Sequence, residues 1–98
     1  MSLSLEFTPE AKCDAQEAAR YYERRVPGLG AQLRSEIECA CAVILRQPLL
    51  WRERPGGYRR VNLSQFPYYI VFAIRGDRIR VVAVAHSSRH PDFWKRRI

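Results

Sequence analysis

The chain has 98 residues, 47% hydrophobic and 28% charged, which is the balance of one ordinary folded domain over residues 1–98 and excludes the disordered class. Its formal net charge is +7, and no apolar run approaches the roughly 20 residues that a membrane-spanning helix needs. Met1-Ser2-Leu3-Ser4-Leu5-Glu6 lacks the basic start and apolar core of a secretory signal, so the expected location is cytoplasmic, with no membrane partner.

Leu3, Leu5 and Phe7 alternate with polar residues, the pattern of a short strand with one buried face. Thr8-Pro9-Glu10 reads as a helix start, with Thr8 as cap, Pro9 where no N–H is needed and Glu10 at the positive end of the dipole. Ala11, Ala15, Ala18, Tyr22 and Val26 form a narrow, Ala-rich stripe that permits close approach to a neighbour. Pro27-Gly28-Leu29-Gly30 breaks this helix. A second helix runs from about Leu29, with the stripe Leu29, Leu33, Ile37, Ala40, Cys41, Ile44 and Leu45, and ends at Pro48. The short link predicts an antiparallel helical hairpin. Tyr21-Tyr22 reads as core and rim.

The stretch 48–57 reads as an ordered connector whose apolar half, Leu49-Leu50-Trp51, anchors to the body. A strand over Tyr58–Leu63 follows, with Val61 and Leu63 inward. Arg59 shares their parity, so its head must reach the sheet edge or a carboxylate; Arg60 faces the other way. Ser64–Pro67 turns the chain into two long apolar runs, Tyr68–Ile74 and Ile79–Ala85, joined by Arg75-Gly76-Asp77-Arg78. Gly-Asp between β-branched and aromatic runs signals a hairpin, and the nearly unbroken apolar character places both strands centrally. The ending, Pro91 to Ile98, reads as a short helical turn or a tail on the sheet. The order β-α-α-β-β-β implies an α+β fold, with a helical hairpin packed on one face of a small, mainly antiparallel sheet. Either edge is open to the first strand.

Charge is unevenly placed. Residues 1–50 carry six Lys+Arg and seven Asp+Glu, whereas residues 51–98 carry eleven and three. Fifteen of the seventeen cations are Arg, the side chain suited to bidentate pairing with phosphate or carboxylate. A basic field confined to the sheet-forming half points to an anionic partner, either a nucleic acid or an acidic protein segment. Cys13, Cys39 and Cys41 have no CxxC spacing and an odd count, so reduced, space-filling thiols are expected, with no disulfide framework and no metal site.

The polar candidates are Arg59, Arg60, Tyr69, Arg80, His86, Ser87, Ser88, Arg89, His90, Asp92 and Trp94. They make no hydrolase signature, and no cofactor is implied. Arg, His and Tyr together suit phosphodiester chemistry, with arginines stabilising charge on phosphorus and His moving a ribose proton. His86 shares the side of its strand with Arg80, Val82 and Val84 by parity, and reads as a structural histidine ahead of a general base. Arg89 reads as a binding residue, and Trp94 as a packing or stacking one.

Gly57-Tyr58-Arg59-Arg60, Phe66-Pro67-Tyr68-Tyr69-Ile70-Val71-Phe72 and the run Val82 to Trp94, with its His-x-x-Arg-x-Pro-x-x-Trp pattern, resemble the RelE/ParE superfamily. These are the toxins of type II toxin–antitoxin systems, also called plasmid stabilisation proteins. The resemblance implies a cognate antitoxin whose tail wraps the toxin, giving a toxin–antitoxin hetero-oligomer. It also implies one of two mechanisms. RelE-like members cut messenger RNA on the ribosome, which would assign Arg59, Arg60, His86 and Arg89 around the scissile phosphate. ParE-like members poison DNA gyrase by binding, which would assign Arg60, Tyr69, Arg80, His86, Arg89, His90 and Trp94 to target or antitoxin contact. Tyr69 stands where a nuclease member has arginine, Trp94 stands where it has tyrosine, and Ser88 precedes Arg89 where many relatives have a second arginine. Lys95 is the one lysine of the basic half. These departures favour the ParE-like branch over the nuclease, and leave open a toxin fold without toxicity.

Overall fold

The computed structural model describes residues 3–98. Strand β1 (Ser4–Phe7) leads into helix α1 (Pro9–Arg25), then α2 (Leu29–Arg46) and a 3-10 turn (Pro48–Leu50). Strands β2 (Arg59–Asn62), β3 (Tyr68–Arg75) and β4 (Arg78–His86) follow, and a four-residue helix α3 (Asp92–Lys95) ends the fold. The sheet order is β1-β4-β3-β2, with β1 parallel to β4 and the other neighbours antiparallel. The expected β-α-α-β-β-β architecture is present, and β1 takes the β4 edge that the sequence left open.

Local chemistry explains the boundaries. Thr8 is extended and its Oγ1 accepts the Ala11 N–H at 3.1 Å, a cap for one of the orphan donors of α1. The Glu23 carboxylate near the end of α1 accepts the N–H groups of Gly28 (2.9 Å) and Gly30 (3.0 Å), placing negative charge at the N-terminus of α2. The β3–β4 hairpin turns on Gly76-Asp77, with Gly76 at φ +62°. At the β2–β3 turn, Glu36 Oε1 on α2 accepts from Ser64 N (2.6 Å) and Gln65 N (2.9 Å), tying that turn to the helices.

Both helices pack on one face of the sheet. Ala11 and Ala18 from α1, with Leu33, Ile37 and Ile44 from α2, meet Val61, Leu63, Phe66, Ile70, Phe72, Ile79, Val81 and Val84. The two helices come close where Gly30 of α2 meets the backbone of α1: a Cβ built on Gly30 would stand 2.5 Å from the Ala19 carbonyl oxygen. Val26 and Leu45, counted in the stripes by spacing, are exposed: Val26 is the cap residue after α1 ends at Arg25, and Leu45 is turned about 100° around α2 from the buried Ile44.

A second apolar cluster lies on the opposite face: Tyr69, Val71, Val82, Ala83, Ala85 and Trp94, with Tyr58 and Phe93 against them. Val82 and Ala83 are consecutive yet belong to the same face. The register explains this, since Ala83 pairs with Val71 and Val81 with Phe72, leaving Val82 as an extra residue in a β-bulge. Parity along β4 flips there, which corrects the sequence reading. Arg80 and Val82 face away from the helices, whereas Val84 and His86 face towards them.

Three further expectations change. Leu49 and Leu50 do not anchor the connector; they are exposed, and Trp51 alone does so, its ring edge-on to Phe72 with centroids 6.0 Å apart. Arg59, on the outermost strand β2, meets no carboxylate; its Nε donates to the Trp51 carbonyl at 2.9 Å. Cys13 and Cys39 are exposed and fill no space, while Cys41 is half-buried, its thiol pushed up to about 11 by burial and then by Glu38.

Gly30→Ala is expected to lower stability by about 2 kcal/mol despite alanine's better helix propensity, because the new Cβ forces the two helices apart. A denaturant midpoint equal to or above that of the parent would contradict this close approach.

Candidate functional site

The two ends of β4 create different environments. At the hairpin end, Arg78 and Arg80 flank Glu6 of β1, with nitrogens 3.9 and 3.4 Å from Oε1. These pairs are exposed and hold little energy, on the order of 0–1 kcal/mol each. At the other end, β4 runs on past the last residue of β1, so its outer edge would leave backbone groups unpaired. Asp14 of α1 and Arg97 fill that gap. Asp14 Oδ2 accepts the Val84 N–H at 3.2 Å and an Arg97 guanidinium N–H at 2.7 Å, while the same Arg97 nitrogen donates to the Val82 carbonyl at 2.9 Å. Both side chains are largely buried.

This clasp fixes the C-terminal segment, and α3 lays Trp94 on the sheet. Trp94 is 1% exposed, and its Nε1–H donates to the Tyr69 hydroxyl at 2.8 Å. Tyr58 meets the indole edge-on at 5.0 Å between centroids. Arginines cover the aromatic layer: Arg60 stands 3.7 Å over the Tyr69 ring, and Arg89 stands 3.7 Å over Phe93, with Arg97 at 5.3 Å from the same ring.

On the helix face, Tyr68 and His86 are cross-strand partners whose rings meet edge-on at 5.0 Å. Burial, then Tyr22 and Tyr21, push the Tyr68 hydroxyl above its ordinary range. His86 Nδ1 accepts the Ser88 backbone N–H at 3.1 Å, with Ser88 Oγ 2.8 Å away. The Nδ1 side of the ring is therefore turned to the Ser88 segment and not to open solvent. Clefts of about 170 and 410 Å³ lie on either side of the Tyr68–His86 pair, one lined by Asp14, Glu17 and Arg89, the other by Tyr21, Arg25 and Ser88. A third cleft, about 260 Å³ and mostly apolar, opens between α1, α2 and β1 beside Phe7, Ala15 and Ile37, with Lys12, Arg34 and Glu38 at its rim. Among the described residues no cluster of His, Cys, Asp and Glu could hold a metal ion, and no helix is long and apolar enough to cross a membrane.

The family model described as the ParE toxin of type II toxin-antitoxin system, parDE, matches residues 5–91. The chain belongs to the ParE toxin family. A solved structure of the chromosomal ParDE TA system from P. aeruginosa is similar in fold, with a TM-score of 0.76 at 19% identity over 86% of this chain and 95% of that one. No curated protein sequence matches the chain.

In this ParE-family chain the candidate residues divide. The four residues of a nuclease reading do not converge: Arg59 and His86 face the helices, Arg60 lies on the opposite face, and Arg89 sits on Phe93 beside acidic α1 residues. Arg60, Arg80 and Arg89 share none of the clefts described; Arg80 is held by Glu6 at the far end of β4. Tyr69 and Trp94, expected to touch a partner, are 3% and 1% exposed and instead build the second core. The exposed His90 accepts the Asp92 N–H at Nδ1, 3.2 Å away. Asp14 and Arg97 were missed. The signal for Asp14 was present, since it lies three residues after Ala11 and four before Ala18, on the stripe that meets the sheet.

Tyr69→Phe is expected to cost about 1–3 kcal/mol, because it strands the buried Trp94 Nε1–H while removing little apolar surface. Chemical denaturation checks this, and an unchanged midpoint would mean that the indole finds another partner.

Proposed function

We propose that this chain is the toxin of a type II toxin–antitoxin pair, that it poisons DNA gyrase by binding, and that a cognate antitoxin neutralises it in the cytoplasm. The observation that carries the reading is the match of residues 5–91 to the ParE toxin family. The geometry supports binding over phosphodiester chemistry. Arg59 and Arg60 point to opposite faces, so they cannot clamp one phosphate, and Nδ1 of His86 is engaged by the Ser88 N–H. The +7 charge suits an acidic antitoxin tail, and the apolar cleft between α1, α2 and β1 offers such a tail a groove.

Expression without the antitoxin is expected to stop growth and induce the DNA-damage response, with messages left uncut. Purified protein is expected to inhibit gyrase supercoiling in proportion to its concentration. Normal supercoiling by gyrase in the presence of folded, antitoxin-binding protein would contradict the reading, as would transcripts cleaved in register with ribosomal codons.

A further inference from the structure

The 3-10 turn Pro48–Leu50 is held at both ends. Gln47 N–H donates to the Val43 carbonyl at 2.8 Å and Leu50 N–H to the Gln47 carbonyl at 3.1 Å. Immediately after, Trp51 is fixed by its contact with Phe72 and by the Arg59 hydrogen bond to its carbonyl. This rigid turn nevertheless displays Leu49 at 74% and Leu50 at 62% exposure, and Leu45 in the preceding helical turn is exposed as well. Single exposed leucines are ordinary, but two consecutive ones on a fixed backbone form an apolar knob.

Its surroundings are cationic. Arg46 and Arg52 are exposed and Arg54 is half-exposed, and among the described residues none of the three is in an ion pair. Glu53 is the one carboxylate between Leu45 and Gly57. Such a knob fits a concave apolar socket rimmed by carboxylates on a folded protein. A second copy of this chain would bring arginines against arginines. A flexible acidic tail needs a groove, and the two leucines line none of the clefts described above.

We propose that Leu49 and Leu50 are the contact through which this toxin grips its target, seating in an acid-rimmed apolar socket on gyrase; this rests on the gyrase reading given above. Leu49 and Leu50 are the anchors, and Arg46, Arg52 and Arg54 steer and orient the encounter.

The test compares the full-length parent, the double variant L49S/L50S and the single variant Arg52→Glu in gyrase supercoiling inhibition, with thermal melting as the control for folding. Because both leucines are exposed, the double variant is expected to melt with the parent and to need about 10- to 100-fold more protein for half-inhibition. R52E is expected to weaken inhibition too, most at low salt. If the parent inhibits and both variants inhibit equally well, the knob is not the contact and the gyrase reading stands. If the parent itself leaves supercoiling untouched, both the reading and the proposal fall.

Discussion

The Asp14 carboxylate is the point on which the structure turns. It receives one backbone N–H from the free edge of β4 and one guanidinium from the C-terminal segment, and that guanidinium also reaches the Val82 carbonyl. Three separate parts of the chain meet in this one polar contact: the first helix, the edge of the sheet and the tail. Pairing is obligatory here. An unpaired edge invites another strand, and a largely buried carboxylate without its cation would be costly. Beyond the clasp, Trp94 packs on the sheet and gives the face opposite the helices a core of its own.

The bulge at Val82 decides what the surface can do. By flipping the parity of β4 it sends Arg80 to one face and His86 to the other, and so breaks up the cationic group that the linear sequence brings together. Several of the remaining cations are engaged structurally: Arg59 on a carbonyl, Arg97 on Asp14, Arg60 and Arg89 on aromatic rings. The basic half is therefore less available to an anion than its charge count suggests. Exposed arginines beside apolar surface remain at Arg46 and Arg52, next to Leu49 and Leu50.

Periodicity and punctuation made the architecture legible. The Thr8-Pro9 start, the Pro-Gly break before Leu29 and the Gly76-Asp77 turn each sit where the elements begin or end, because these residues act through their own backbones. The site was less legible because it depends on long-range pairing. No local signal marks Val82 as a bulge in an unbroken apolar run, so alternation carried through it gives the wrong face for His86. Trp94 could be placed on the sheet or on a ligand, and only its pairing with Tyr69 decides for the sheet. Leu49 and Leu50 look like core in sequence, but the single large ring of Trp51 already fills that place.

The most direct test of this account is a double-mutant cycle between Asp14 and Arg97, using Asp14→Ala, Arg97→Ala and the pair, with stability measured by chemical denaturation. The clasp requires a coupling of about 1–3 kcal/mol, with either single substitution costing nearly as much as both together. Effects that add to within about 0.5 kcal/mol would contradict it.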